Sequence, residues 1–292
     1  MSDQANIVVD PAELPTPRSF GKRLRHYRRD WSWRLRLRRL PRDPVPEGRA
    51  DPQCPDFAVG AIAISRKYCD WCLSMIDTLR RAGEYSGPVY VVTNRPEMFA
   101  EADNVFPITV PYSRVRLISK SCKPMLFEWL PYRYVAYIDA DVIVTAPIAA
   151  WYRRARERLA RVAAPLLTYR AGNPLPDSFH GGLLFAEREA ALPFLRRWLG
   201  MLRSGRYLSD QVALKRIATA DAPAYYDDEG FIYLYKLVEG SPEGARTEPP
   251  TFVHVTDRMI QDHPPEELKA YLSDRLGVAR LPEHFGPYQQ GS

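Results

Sequence analysis

The chain has 292 residues, which is enough for one large domain or two small ones. Its composition, 46% hydrophobic and 12% aromatic, excludes a mainly disordered protein. No stretch reaches the roughly 18–20 apolar residues that cross a bilayer, and the first residues do not have the pattern of a signal peptide. We therefore expect a cytoplasmic protein, with peripheral contact at the inner face of the membrane as an alternative.

The positive charge of the chain is concentrated near its N-terminus. Between Thr16 and Arg42 there are eleven lysine and arginine residues and one acid, a local charge of +10 in a chain whose total is +6. Subtracting +10 from +6 leaves −4 for the other residues, so the high pI describes one segment only. We predict a basic, Pro- and Arg-rich arm over residues 1–55 and one main domain over residues 56–292.

The aromatic and leucine residues of the arm suit peripheral contact with an anionic membrane surface. An arm that packs back onto the domain is the alternative. No segment of the chain resembles a nucleic-acid-binding module, so we expect no nucleic-acid partner.

The chain contains four cysteines, a number that favours a reducing compartment over a disulfide framework. Cys69 and Cys72 form a CxxC pair, and Cys54 with Cys122 would complete a four-sulfur zinc site. The second CxxC pair that is typical of such sites is missing from the sequence. We therefore expect four ordinary thiols.

From Phe57 onward the sequence alternates between strand and helix patterns. FAVGAIAIS (57–65) predicts a buried strand, and the stretch 71–83 has apolar residues at helical spacing. The stretches 88–94 and 104–110 predict two more strands. PMLFEWLP predicts a helix, and YRYVAYIDADVIV predicts a strand that runs into an acidic turn. This βαβ order predicts a mainly parallel sheet with helices on both faces.

The second half of the chain predicts a smaller, mixed region. LLTY, GGLLFA and the late segment TFVHV are typical of strands. EREAALPFLRRWLGMLRSG and SDQVALKRIA are typical of helices. The sequence contains no internal repeat.

Asp139 and Asp141 give the sharpest local signal of a functional site. An apolar strand that ends at Ile138 is followed by these two carboxylates, which only Ala140 separates. Ligands of α/β sheets gather at the carboxyl ends of strands, and a turn here would bring both carboxylates to one cation. Oxygen ligands suit Mg²⁺ or Mn²⁺, whose coordination phosphate oxygens commonly complete. Because many solvated turns contain an Asp-x-Asp pair, the assignment depends on its surroundings.

The stretch YVAYIDADVIVTAPI resembles the signature strand and DxD turn of glycosyltransferases with the GT-A fold. The match is best with the retaining family 8, which includes glycogenin and bacterial lipopolysaccharide galactosyl- and glucosyltransferases. Further pieces follow in that family's order: Lys123 sixteen residues before the first Asp, SFHGGLLFAERE, Ser209-Asp210-Gln211, and the late strand with His254. Together they cover about two thirds of the chain, from residue 57 to about residue 260.

This resemblance implies a site for a divalent cation and a nucleotide-sugar donor. Asp139, Asp141 and His254 would hold Mn²⁺ or Mg²⁺, and Asp139 would also touch the ribose. Asp210 and Gln211 would be the catalytic residues nearest the anomeric carbon or the acceptor. The other contacts with the donor would come from Ser65, Tyr68, Lys123, Gly181, Gly182 and Arg258. Apart from the resemblance, each of these residues also suits an ordinary structural role, such as core packing, a helix terminus or a strand kink.

The sequence departs from the family pattern at two places. His180 stands where the family usually has Asn, which bears on the choice of sugar and acceptor. After His254 the usual Gly and the later Lys-Pro-Trp are missing, and the chain continues with Thr256-Asp257-Arg258. Arg258 is therefore only a substitute candidate for the family's phosphate-binding lysine.

We predict an α/β protein with the GT-A fold, built from a mainly parallel doubly wound sheet and a smaller mixed acceptor-side region. Its predicted function is transfer of a hexose from a UDP-sugar, with retention, to a glycan, lipid-linked, protein or small-molecule acceptor. The alternative is a non-catalytic module that binds nucleotide sugars or polyanions on a degenerate GT-A fold. A sugar nucleotidyltransferase or Rossmann dehydrogenase is disfavoured, because AISRKYCDW stands where either needs a Gly-rich loop.

Overall fold

The computed structural model describes residues 45–110, 116–170, 179–203, 210–218, 224–225, 230–240, 250–255 and 263–282. These residues belong to one compact unit. Residues 1–44 of the predicted arm lie outside the described part of the chain, so the role of the arm stays a prediction. No helix within the described ranges is both long enough and apolar enough to span a membrane.

Residues 45–55 are tied to the domain by hydrogen bonds. The backbone N–H of Gly48 donates to the hydroxyl of Tyr132 at 2.8 Å. The buried carboxylate of Asp51 accepts a hydrogen bond from the backbone N–H of Ser86 at 2.8 Å. These bonds make residues 45–55 part of the domain surface.

Ten strands lie in the described part of the chain, in two sheets. In chain order they are β1 (Phe57–Ala63), β2 (Val89–Thr93), β3 (Val105–Thr109), β4 (Tyr134–Ile138), β5 (Val142–Val144), β6 (Leu167–Arg170), β7 (Phe179–Glu187), β8 (Ala224–Tyr225), β9 (Phe231–Tyr233) and β10 (Phe252–His254). The order of the main sheet is β3-β2-β1-β4-β7-β6-β8, and that of the smaller sheet is β5-β10-β9.

The helices are α1 (Arg66–Arg81), α2 (Arg116–Trp129), α3 (Ile148–Val162), α4 (Arg188–Arg203), α5 (Asp210–Ile217), α6 (Leu234–Val238) and α7 (Pro265–Ala270). A 3₁₀ turn covers Pro96–Phe99, and a π-helical turn covers Tyr271–Arg275. Two helices begin earlier than the sequence patterns predict. α1 begins at Arg66 instead of Trp71, and α2 begins at Arg116, well before Pro124.

The main sheet is mainly parallel. β1 is parallel to β2 and β4, and β2 is parallel to β3. β7 pairs antiparallel with both β4 and β6. In the smaller sheet, β10 is antiparallel to β5 and parallel to β9, so this region is mixed. The predicted fold class, a mainly parallel sheet with a smaller mixed region, is confirmed.

β1 shows why the sheet is covered on both faces. Phe57, Val59 and Ala61 belong to the core that also contains residues of α1 and α3. Gly60 points the other way, towards α2, where a Cβ would lie 2.1 Å from Cδ2 of Leu126. Because successive side chains of a strand alternate between faces, β1 needs apolar or small residues at every position. This covering by helices on both sides is the predicted doubly wound arrangement.

Helix α3 is not among the sequence predictions. Its buried residues, Ile148, Trp151, Tyr152, Ala155 and Leu159, recur at the spacing of one helix face. The pattern is detectable in the sequence, although the arginines between these positions obscure it.

The four cysteines are buried and carry unpaired thiols. Burial raises the pKa of Cys54 and of Cys122 to about 12, so these two stay protonated at neutral pH. The thiol of Cys69 donates to the carbonyl of Ala63 at 3.3 Å. In the described part of the chain, the residues grouped closely enough to hold a metal include no cysteine.

The topology brings several strand ends to one edge of the main sheet. β1 and β4 are parallel neighbours, so their carboxyl ends meet there. After β4 the chain turns through residues 139–141, and β5 leaves the main sheet to pair with β10. The smaller sheet therefore lies against the edge where α/β proteins bind ligands.

Candidate functional site

Asp139 and Asp141 lie on the turn between β4 and β5. The N–H of Asp139 donates to the carbonyl of Gly182 on β7 at 2.7 Å, and the carbonyl of Asp139 accepts from the N–H of Val142 at 3.2 Å. These bonds anchor the turn to β7 on one side and to β5 on the other. The side chains are 24% and 13% exposed, so a ligand can reach them although both are largely desolvated.

His254 is brought to this turn by the pairing of β10 with β5. It lies opposite Val142 in the antiparallel register, and the N–H of Val255 donates to the carbonyl of Asp141 at 2.9 Å. As a result, Nε2 of His254 lies 3.6 Å from Oδ1 of Asp141. One ligand atom from each of Asp139, Asp141 and His254 lies within 4.8 Å of the other two. We call these three residues the carboxylate–histidine group.

The carboxylate–histidine group fits a divalent cation. Nδ1 of His254 is buried and has no hydrogen-bond partner in the described part of the chain. A buried histidine that served the fold alone would normally have its ring nitrogens satisfied. Carboxylate oxygens with an imidazole nitrogen suit Mn²⁺, and the carboxylates also suit Mg²⁺. Three protein ligands leave positions that phosphate oxygens can take.

A second charged group lies beside the first. Lys123 on α2 is 8% exposed, and its Nζ lies 2.9 Å from Oδ2 of Asp210 and 3.2 Å from Oδ1 of Asp139. The same ammonium donates to the carbonyl of Gly181 at 2.8 Å. Lys120 lies one turn earlier on α2, and its Nζ is 3.2 Å from Oδ1 of Asp210. We call Lys120, Lys123 and Asp210 the lysine–aspartate group, which Lys123 links to the carboxylate–histidine group.

Burial and neighbouring charges shift the pKa values of these residues in different directions. Burial lowers the pKa of Lys123, but Asp139 and Asp210 outweigh it and raise that pKa above its ordinary value. Burial raises the pKa of Asp210, but Lys123 and Lys120 hold it well below its ordinary range. The pKa of Asp139 is raised, mainly by burial and further by Asp141, against the opposing effect of Lys123. Lys123 and Asp210 are therefore fully charged at neutral pH. A bound cation would stabilise the ionised form of Asp139 and lower its pKa again.

Gly181 and Gly182 allow both charged groups to approach the backbone of β7. A Cβ on Gly181 would lie 2.8 Å from Oδ2 of Asp210. A Cβ on Gly182 would lie 2.5 Å from Oδ2 of Asp139 and 2.4 Å from Cε1 of His180. The structure thus shows that these glycines make room for carboxylates. Their predicted contact with the donor sugar stays a prediction.

Tyr137 contacts the candidate site although it is not among the residues predicted from the sequence. It lies two residues before Asp139 and therefore points to the same side of the strand. Its hydroxyl donates to Oδ1 of Asp139, and Nζ of Lys123 lies 4.9 Å from the centroid of its ring. Burial raises the pKa of this phenol well above its ordinary value, so it remains a neutral hydrogen-bond donor. The two-residue period of the strand is the signal that could have found it.

The ring of His180 packs against the ring of His254. His180 is buried, and its Nδ1 accepts a hydrogen bond from the N–H of Gly182 at 3.1 Å. Its ring meets the ring of His254 edge to face at 4.9 Å and lies 4.6 Å from Phe231 and 5.5 Å from Tyr233. Burial, assisted by His254, lowers the pKa of His180 well below its ordinary value, so the ring is neutral at neutral pH.

The other predicted site residues are more dispersed. Ser65 follows β1 with a φ of 96°, and its N–H donates to Oδ1 of Asn94 at 2.8 Å. Tyr68 is half-buried in the first turn of α1 and packs against the core. Gln211 is the half-buried second residue of α5. Arg258 lies outside the described residues, so its phosphate contact stays a prediction.

Comparison with solved structures identifies the fold. The chain is similar to an active-site mutant of LgtC, with 12% identity, 77% of this chain and 98% of that chain covered, and a TM-score of 0.54. It is also similar to the galactosyltransferase LgtC in complex with donor and acceptor sugar analogs, with 13% identity, the same coverage and a TM-score of 0.53. The chain has the GT-A fold. No family model and no curated protein matches the sequence.

In this GT-A domain, most of the predicted site residues converge on the carboxyl edge of β4. The structure brings together Asp139, Asp141, His254, Lys123, Asp210, Gly181 and Gly182. It adds Lys120 and Tyr137, which contact Asp210 and Asp139 respectively. The i, i+3 spacing places both lysines on one face of α2, but the helix predicted from the sequence begins only at Pro124, after both of them.

Proposed function

We propose that the chain is a metal-dependent glycosyltransferase that moves a hexose from a UDP-sugar to an acceptor with retention. The carboxylate–histidine group at the ligand-binding edge of a GT-A sheet is the observation that carries this proposal. The fold likeness to LgtC, a galactosyltransferase studied with donor and acceptor sugar analogs, supports a nucleotide sugar as the donor.

The cation would be Mn²⁺ or Mg²⁺, held by Asp139, Asp141 and His254. When bound, it would act as a Lewis acid that stabilises the negative charge on the departing diphosphate. Tyr137 keeps the Asp139 carboxylate oriented through its hydroxyl hydrogen bond. Lys123 is buried next to the same carboxylate and would add positive charge on the donor side.

In the proposed transfer, the bond between the anomeric carbon and the donor phosphate oxygen breaks. A bond between that carbon and the acceptor oxygen forms, and the acceptor proton passes to the departing diphosphate. Asp210 is a poor base, because Lys123 and Lys120 hold its pKa well below its ordinary range despite burial. We assign it, with Gln211 beside it, the position nearest the anomeric carbon or the acceptor, where its carboxylate holds the two lysine ammonium groups in place.

The remaining parts of the proposal concern the rest of the donor and the acceptor. Ser65 and Tyr68, at the end of β1, would contact the ribose and the uracil, and Arg258 would contact the diphosphate. The acceptor would be a glycan, a lipid-linked sugar, a protein or a small molecule. The basic arm would support peripheral contact with the inner face of the membrane in the cytoplasm.

The second candidate is a non-catalytic module that binds a nucleotide sugar or a polyanion on the same fold. It predicts binding without turnover. The geometry of the carboxylate–histidine group favours the enzyme, since a cation held at the diphosphate would serve both the binding of the donor and the departure of the diphosphate.

Thermal unfolding of the full chain with UDP-, GDP- and dTDP-sugars, each with Mn²⁺ or with EDTA, tests the donor and the cation together. A ligand present at 100 times its Kd should stabilise the folded state by about 2.7 kcal/mol. We expect a shift with UDP compounds plus Mn²⁺ and no shift with EDTA. A shift that is insensitive to EDTA, or no shift with any nucleotide, would contradict the proposal.

Release of UDP from UDP-hexoses, measured with and without candidate acceptors, separates the enzyme from the binding module. The enzyme should release UDP in the presence of Mn²⁺, and Asp139→Asn should abolish the release. Metal-dependent binding without any UDP release, across glycan, lipid-linked, protein and small-molecule acceptors, would favour the binding module.

A further inference from the structure

Lys120 has no role in the function proposed so far beyond its effect on Asp210. It lies one helical turn before Lys123, so both side chains leave the same face of α2. Oδ1 of Asp210 lies 3.2 Å from Nζ of Lys120, and Oδ2 lies 2.9 Å from Nζ of Lys123. Each oxygen of this carboxylate therefore faces its own ammonium group.

The two lysines differ in their surroundings. The side chain of Lys123 is 10% exposed and is shared between Asp210 and Asp139. The side chain of Lys120 is 23% exposed, and its Nζ contacts Oδ1 of Asp210. Without Lys120, Lys123 would be the one lysine left beside Asp210 to compensate its negative charge. We expect the ammonium of Lys123 then to move towards Asp210 and away from Asp139.

A count of charges shows what Lys120 adds. When ionised, Asp139, Asp141 and Asp210 carry three negative charges, and Lys123 returns one positive charge. A divalent cation would bring these four side chains to a net charge of zero. Lys120 adds one positive charge next to Asp210, which favours a diphosphate bound at the cation.

We propose that Lys120 is a positioning residue of the transfer site. It pairs with Asp210 so that Lys123 stays shared between the two carboxylates, and it supplies the positive charge that favours a diphosphate donor. This inference rests on the proposed function. It requires that loss of Lys120 act in opposite directions on the two ligands: the site becomes more negative, so a cation binds more tightly and a diphosphate more weakly.

A lysine that only stabilised the fold would behave differently. Its loss would loosen the site and weaken the binding of the cation and of the diphosphate together. The direction of the two changes, rather than the size of either, therefore distinguishes a positioning role from a structural one.

The test is Lys120→Met in the full chain, with Mn²⁺ binding followed by EPR and UDP binding at saturating Mn²⁺ followed by calorimetry. We expect Mn²⁺ to bind about two- to fivefold more tightly and UDP about tenfold more weakly. Lys120→Arg keeps the charge and should restore most of the UDP affinity. Lys215→Met, the same change at an exposed residue of α5, should alter neither affinity by more than about twofold.

The outcomes separate this inference from the proposed function. Weaker binding of both ligands by Lys120→Met, without rescue by Lys120→Arg, would make Lys120 structural. Unchanged UDP binding would also overturn the role. If the unaltered protein bound neither Mn²⁺ nor UDP, the proposed function itself would fail, and the role of Lys120 with it.

Discussion

The carboxylate–histidine group and the lysine–aspartate group are neighbours, yet they differ in charge balance. In the first, two carboxylates and an imidazole converge, and Nζ of Lys123 lies 3.2 Å from Oδ1 of Asp139. In the second, one carboxylate lies between two ammonium groups. The first group therefore has the ligand set of a candidate cation site, whereas the second pairs its carboxylate with ammonium groups of the chain itself. Because buried charge costs free energy unless it is compensated, we expect a cation to stabilise the first group more than the second.

The two groups also differ in how the fold builds them. The carboxylate–histidine group lies on a turn and a strand end that backbone hydrogen bonds tie to β7 and β10. The lysine–aspartate group joins two helices, α2 and α5, that are far apart in the chain. The backbone therefore positions the candidate cation ligands, while side-chain ion pairs connect α2 with α5.

Lys123→Met should have the largest effect, because Lys123 joins the two groups. It would leave Asp139 and Asp210 buried with less compensating charge, and we expect the free energy of unfolding to fall by roughly 3–5 kcal/mol. Urea denaturation at neutral pH measures this change. Lys215→Met, at an exposed position, should change it by less than about 0.5 kcal/mol. A loss below about 1 kcal/mol for Lys123→Met would show that the link between the groups carries little energy.

Asp141→Asn should affect the carboxylate–histidine group alone. It removes a candidate cation ligand and leaves the ion pairs of the lysine–aspartate group in place. We expect Mn²⁺ affinity to fall about 100-fold, while the free energy of unfolding in EDTA changes by less than about 1 kcal/mol. EPR titration of Mn²⁺ and urea denaturation measure the two quantities. Asp274→Asn, at an exposed residue, is the control and should leave Mn²⁺ binding unchanged. Retention of Mn²⁺ affinity by Asp141→Asn would remove Asp141 from the site.

Gly182→Ala should disturb the backbone contact that supports the carboxylate–histidine group. The added methyl would press on Asp139 and His180, and we expect a loss of roughly 1–3 kcal/mol in the free energy of unfolding. Gly200→Ala is the matched control, because a Cβ there meets nothing within 4 Å and the position is helical. This control should stabilise the protein by about 0.5–1 kcal/mol. Equal effects at both positions would mean that the structure around Gly182 shifts enough to accommodate the added methyl group.

Tyr137→Phe should have the smallest effect, since it removes one hydroxyl and keeps the ring beneath Lys123. We expect the free energy of unfolding to change by about 1 kcal/mol and Mn²⁺ affinity to fall about tenfold, because Asp139 loses an orienting hydrogen bond. Chemical denaturation and Mn²⁺ titration measure these changes. If Mn²⁺ affinity were unaffected, the turn backbone and Lys123 would be enough to orient Asp139.

The parallel part of the fold could be predicted from the sequence because its strands are buried on both faces. β1, β2 and β4 are buried along their whole length, so they appear as continuous apolar runs between helical patterns. β8 and β9 have only two and three residues, too few for any periodicity to show. The sequence pattern places the start of α2 at Pro124, because proline favours the first turn of a helix, but in the structure Pro124 lies inside the helix.

The site could be predicted only where its residues are close in sequence or match a motif. Asp139 and Asp141 are separated by one residue, and their turn follows a recognisable strand. The pairing of Lys120 with Asp210 depends on how α2 and α5 meet in the fold, and no local pattern connects residues 120 and 210. The packing of His180 against His254 likewise arises only when β7 and β10 come together. Tertiary contacts, rather than propensities, complete the site.

Pulsed EPR of Mn²⁺ bound to the full chain tests most directly whether the carboxylate–histidine group holds the cation to which a UDP-sugar binds. We predict a ¹⁴N coupling from the imidazole that disappears in His254→Gln. We also predict a ³¹P coupling that appears when UDP is added. Bound Mn²⁺ whose ¹⁴N coupling survives in His254→Gln, or that shows no ³¹P coupling with saturating UDP, would contradict the assignment.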